Sequence, residues 1–214
     1  MEILSFVDFY INNFKSYKER WNYEDGCIMK GARDLYEATK EQKYYDFMEK
    51  YINERVSDNG EINGFDYREF NIDNVNTGKI LIYLLEKTGE EKYKLAADAQ
   101  YRQLYNHPRT NEGNFWHKQI YPNQVWLDGL YMAMPFYASY VKLIKPELGY
   151  KDIINQFENV RKRMKDPKTG LYYHGYDESK NERWSNPESG LSKHFWSRAM
   201  GWFEMALIDT IEEI

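Results

Sequence analysis

A single cysteine, Cys27, leaves no intrachain disulfide to hold this 214-residue chain, and its expected role is that of a small buried apolar side chain. Charge of one sign is also missing as a block: 29 basic and 34 acidic residues are spread along the chain, for a formal net charge of −5. Without a basic patch, nucleic acid is not an expected partner. No run approaches the roughly 18 apolar residues that a membrane span needs. The segment MEILSFVDFYINNFKSYKER lacks a basic leader and carries acidic and Asn residues within its apolar stretch, so it reads as an amphipathic helix, not a signal peptide. The expected location is cytoplasmic, with no membrane partner. There is no HExxH, no pair of His at ligand spacing on one helix, no Ser or Cys nucleophile elbow and no Gly-rich phosphate loop. Neither a metal nor a cofactor is expected.

What is abundant is aromatic: 17% of the chain, with 20 Tyr, 11 Phe and 6 Trp. Such rings fill a core, and their faces also stack against the C–H faces of sugars. Apolar residues recur at helical spacing almost throughout, and no alternating strand is evident. The pattern predicts an all-α chain with helices at about 2–15, 27–39 (opened by Asp25 and Gly26), 41–56, 75–87, 90–105, 125–144, 150–164, and from 195 to the end. LYEATKEQKYYDF from Leu35 lines up with LLEKTGEEKYKLA from Leu84, an offset of 49 (84 − 35). A repeat of that length holding two antiparallel helices is a helical-hairpin array. Short connections (Lys40-Glu41, Gly89-Glu90) alternate with long ones (57–72, 106–124, 165–193), which places every long loop at one end of the hairpins. Both a closed ring and an open superhelix share that feature. The more apolar character of the helices that start at those loops favours a ring with a buried inner layer.

The chemistry-bearing residues fall in or just after the long loops: Asp73, His117, Lys118, Trp126, Asp128, His174, Trp196, Arg198 and Trp202. Asp128 stands out, because it lies in the first turn of an otherwise apolar helix, where burial raises a carboxyl pKa and suits a proton donor. Each has a structural alternative. Asp73 in NIDNVNTG fits a helix N-cap, Asp128 fits a complement to the helix dipole, Arg198 fits an ion pair, and the indoles fit a core. Their coincidence at one end of successive repeats points instead to a shared site. Carboxylates, imidazoles, aromatics and an Arg suit proton transfer on a sugar that bears a carboxylate.

FWHKQIYPNQVWLDGLYMAMPFY, with LYYHGYD and FWSRAMGWFEMAL downstream, resembles glycoside hydrolase family 105, the unsaturated rhamnogalacturonyl hydrolases, relatives of the unsaturated glucuronyl hydrolases of family 88. The resemblance implies an (α/α)6 toroid of six hairpins. It implies as substrate an unsaturated uronyl oligosaccharide from pectin, hydrated at its C4=C5 double bond. Asp128 would be the acid/base and Asp73 the second carboxylate. His117, Lys118, His174 and Arg198 would line the uronate pocket, and Trp126, Trp196 and Trp202 its aromatic wall. Eight helices are two thirds of such a ring. The expectation is therefore one toroid domain over 1–214, either a fragment or completed by a C-terminal segment or a second chain. The competing readings are a conventional glycosidase or sugar epimerase on the same toroid, and a non-enzymatic helical-repeat binding module.

Overall fold

The computed structural model describes residues 3–214. Within them the chain runs through α1 (Ile3–Asn12), α2 (Tyr23–Thr39), α3 (Gln42–Asn53), α4 (Gly78–Thr88) and α5 (Glu91–Asn106). Strand β1 (Gln124–Trp126) then leads into α6 (Leu127–Leu143), followed by α7 (Lys151–Met164), strand β2 (Gly175–Asp177) and α8 (Ser197–Ile211). The expected start of the first helix at residue 2 lies outside the described residues.

Two expectations need correction. The second helix starts at Tyr23, so Asp25 and Gly26 lie inside it; Asn22 caps it by accepting from the Asp25 N–H at 2.8 Å. There is also a small antiparallel ribbon, with Val125 opposite Tyr176 and Trp126 opposite Gly175. Three-residue strands are too short to show alternation in a sequence. Cys27 is half-buried, and its Sγ accepts from Asn76 Nδ2 at 3.6 Å.

The layers follow the apolar pattern. In α6 every residue from Leu127 to Val141 is buried, and in α4 every residue from Gly78 to Leu84. By contrast α3 buries only Tyr44, Met48, Tyr51 and Ile52, and α7 only Ile153, Gln156, Val160 and Met164, one stripe each. Thus α2, α4, α6 and α8 form an inner layer, packed each against the next. The layer curves: Lys30 of α2 reaches within 3.7 Å of Asp209 of α8, and the Tyr23 ring lies 6.5 Å from that of Trp202. Curvature of this kind fits a toroid and not an open superhelix. Apolar side chains lie exposed on α1 and α8, among them Phe6 and Phe9 of α1 and Ile208 and Ile211 of α8.

The 49-residue repeat is reproduced in the hydrogen bonds of its short turns. Thr39 Oγ1 donates to Leu35 O and accepts from the Glu41 N–H; Thr88 Oγ1 does the same with Leu84 O and Glu90. Between them, Lys40 and Gly89 both adopt left-handed backbone, at φ 59° and 71°. A non-glycine residue there costs about 1–2 kcal/mol, whereas the surface pair that Lys40 makes with Glu37 is worth little. Lys40→Gly should therefore stabilise the fold, and Gly89→Ala destabilise it, by about 1 kcal/mol each. Chemical denaturation midpoints check both. After each outer helix a glycine turn closes on a β-bridge: Val56 with Ile62 around Gly60, Arg109 with Phe115 around Gly113, Lys165 with Tyr172 around Gly170. The turns send the chain back across one end of the helices toward the next inner helix.

Candidate active site

Those returning loops converge on a cavity of about 300 Å³ at the end of the inner layer where α2, α6 and α8 begin. It is lined by Asp73, Asp128, His117, Lys118, Trp126 and Arg198, all expected from the sequence, and by Tyr23, Trp21 and Asn22, which were not.

Asp73 sits on a 3-10 turn, Ile72–Val75, that neighbouring side chains pin in place. Asn71 caps the turn; Asn74 O accepts from Trp21 Nε1 and Gln100 Nε2, both at 2.8 Å; Gln103 Nε2 donates to Asn71 O. Asp73 is therefore not the cap, and its carboxylate is turned to the cavity. Lys118 Nζ stands 2.6 Å from one oxygen and His117 Nε2 3.4 Å from the other. Asp128 occupies the first turn of α6, 7% exposed, with Arg198 3.6 Å from its Oδ1. Burial pushes its carboxyl above the usual range; Arg198 pulls against this, and the charge of Asp73 adds to it.

His117 is buried, and its ring stacks on Trp126 at 4.2 Å and 16°. Burial brings its pKa down to about 4 despite Asp73. The imidazole is neutral at neutral pH, and its Nε2 stands 3.4 Å from Asp73 Oδ1. Its Nδ1 is left without a partner, facing Gly129, where an added Cβ would lie 3.1 Å away. The group therefore packs beside Asp73 and adds no positive charge to the pocket. Trp126 is stacked on by Tyr121 as well, at 5.4 Å, and donates from Nε1 to Gln124 Oε1 at 3.0 Å.

The remaining three candidates lie beside the cavity. Trp196 is 43% exposed and carries the Arg198 guanidinium 4.0 Å over its ring. His174, half-buried, meets Trp196 edge-on at 5.9 Å, and its Nδ1 pairs with His194 O at 2.9 Å. Trp202 packs on Tyr131 at 4.8 Å and meets Tyr23, which lines the cavity, at a steep angle 6.5 Å away. Tyr23 and its neighbours owe their position to buried Asp25, which accepts from Ser16 Oγ, the Tyr17 N–H, Asn22 Nδ2 and Tyr51 OH. The signal was present: WNYEDG opens α2 as WLDG opens α6. Placing the helix start four residues late hid it. A larger groove of about 940 Å³ along residues 53–67 and α5 contains none of these groups.

Residues 6–214 match the family model described as Glycosyl Hydrolase Family 88. Among curated proteins, the chain is 28% identical over 193 residues to "Unsaturated rhamnogalacturonyl hydrolase YesR" of Bacillus subtilis (strain 168), covering 87% of this chain and 52% of that protein. It is 46% identical over 81 residues to "Protein Atu3128" of Agrobacterium fabrum, covering 37% of this chain and 34% of that protein. Among solved structures, a family 105 glycoside hydrolase of C. acetobutylicum ATCC 824 superposes with a TM-score of 0.92 at 51% identity, over 97% of this chain and 58% of that one. A possible family 105 member from Klebsiella pneumoniae shares the fold, with a TM-score of 0.76 at 21% identity over 90% of this chain and 48% of that one. The chain thus spans about half the length of YesR.

Proposed function

This chain belongs to glycosyl hydrolase family 88, and on that premise we propose that it releases an unsaturated uronic acid, of the galacturonic type, from rhamnogalacturonan-derived oligosaccharides. The observation that carries the proposal is Asp128. It is a buried carboxyl held toward its protonated form, facing the same cavity as a second carboxylate and an exposed Arg. A proton donor next to a cation is what hydration of a conjugated uronate alkene requires. The relative named as an unsaturated rhamnogalacturonyl hydrolase supports the substrate class.

In this reading Arg198 and Lys118 receive the uronate carboxylate, and Trp126 walls one side of the sugar's place. Asp128 gives its proton to C4. Water adds to C5 as Asp128, now a carboxylate, takes a proton back. The C5 hemiketal opens to a ketone, the ring oxygen remains on C1 as a hydroxyl, and the resulting hemiacetal expels the neighbouring sugar with its own oxygen. Asp73, fixed by Lys118 and His117, tunes Asp128 by like-charge repulsion.

The test is loss of the alkene's ultraviolet absorbance when purified protein meets unsaturated galacturonyl-rhamnose. No loss with that substrate removes the proposal. A pH profile adds a signed expectation. The donor form of Asp128 disappears as pH rises through its folded pKa, which gives the alkaline limb of kcat/KM. Asp73→Asn deletes a charge that raises this pKa, so the limb should move to lower pH; Arg198→Met deletes one that lowers it, so the limb should move to higher pH.

A further inference from the structure

The ribbon that brings Trp126 to the cavity extends an aromatic surface outward from it. Trp126 lies opposite Gly175 in the register, and Gly175 is where two indoles come together. A Cβ there would stand 3.3 Å from Cζ3 and Cη2 of Trp184 and 3.6 Å from Cδ1 of Trp126. Trp184 is half-buried, with one neighbour in His174 at 6.3 Å, and His174 in turn meets the exposed ring of Trp196. Trp126, Trp184, His174 and Trp196 form a continuous wall, and only the first of them lines the cavity itself.

The segment carrying Trp184 is held firmly for a surface loop. Buried Asp177 accepts from the N–H groups of Ser179, Asn181 and Glu182, and Glu182 in turn accepts from Gln124 Nε2 at 3.1 Å. Gln124 is the residue that also fixes the Trp126 indole. One hydrogen-bonded chain thus sets the positions of Trp126 and Trp184 together, in advance of any ligand. A half-exposed indole held in this way next to a sugar-sized cavity is a platform. The His174 ring nitrogen nearest the backbone is already engaged. Trp126 is already stacked by His117 and Tyr121, and Trp196 carries Arg198, so the indole that this wall offers to a ligand is that of Trp184.

We propose that Trp184, with His174 and Trp196, forms the subsite for the sugar on the leaving side of the scissile bond. Its ligand is a neutral pyranose that lays a C–H face on the indole. The proposal rests on the hydrolase reading above and assigns to it the residue that selects the neighbouring sugar. The test compares two substrates, unsaturated galacturonate linked to rhamnose and the methyl glycoside of the same uronate. Trp184→Ala, and Trp184→Leu, which keeps an apolar side chain against Gly175, are measured on both. Loss of the stack should raise KM for the disaccharide by about tenfold with kcat little changed, and leave both constants for the methyl glycoside as in the parent protein. Equal losses on the two substrates, or an unchanged disaccharide KM, overturn the subsite. A parent protein that turns over neither substrate overturns the hydrolase reading, and the subsite falls with it.

Discussion

Asp128→Asn should cut turnover of the unsaturated disaccharide by about 10³-fold while leaving the fold intact. The substitution keeps the shape of the side chain and its place in the first turn of α6 but removes the proton. The cavity's other carboxylates already stand against cations: Asp73 lies 2.6 Å from Lys118, and Glu24 lies 2.7 Å from Lys18. Stability should stay level or rise. A buried carboxyl bears a desolvation cost whenever it ionises, and an amide never does. The pairing of lost activity with retained thermal stability is the signature to look for. Loss of both would return Asp128 to a structural role.

Lys79→Met should stabilise the protein most below neutral pH. Lys79 lies in α4, 6% exposed, with Nζ 3.6 Å from the centroid of the Tyr131 ring and 3.5 Å from Tyr131 O. Burial lowers its pKa from 10.5 to about 7, with Asp209 opposing from longer range. Between those two values the unfolded chain binds the proton and the folded chain does not, so this residue makes stability increase with pH across that window. Below it both states are charged, and the folded state carries the full cost of burial. Methionine, of similar length, should recover roughly 2–4 kcal/mol at about pH 6 and much less at about pH 10. Urea unfolding of both proteins at the two pH values isolates the effect. An equal difference at both would mean that Lys79 is charged and satisfied throughout. The position also bears on the site, since Tyr131 packs on Trp202, and Trp202 on the cavity residue Tyr23.

Some of this was legible in the residues alone. The 49-residue offset foretold hairpins whose Thr39 and Thr88 turns are identical, and the long loops foretold which end would hold Asp73, Asp128, His117 and Arg198 together. Other features depend on information that sequence does not carry locally. The charge state of His117 follows from its burial against Trp126. Trp184 lies in a loop without periodicity, and its place is set by Asp177 and by a three-residue ribbon too short to show a pattern. Asp73 looked most like a cap, and only the presence of Asn71 in that role frees its carboxylate for the cavity.

Protonation of carbon by Asp128 is the central claim, and it separates this chemistry from that of a conventional glycosidase, which protonates the linking oxygen. A carbon-linked analogue of the unsaturated galacturonyl disaccharide tests it directly, because that linkage has no oxygen to protonate and cannot be cut. Hydration predicts that the alkene absorbance of this analogue disappears at a rate comparable with that of the natural linkage, with no sugar released. An untouched analogue, beside a natural substrate that is cleaved, would contradict it.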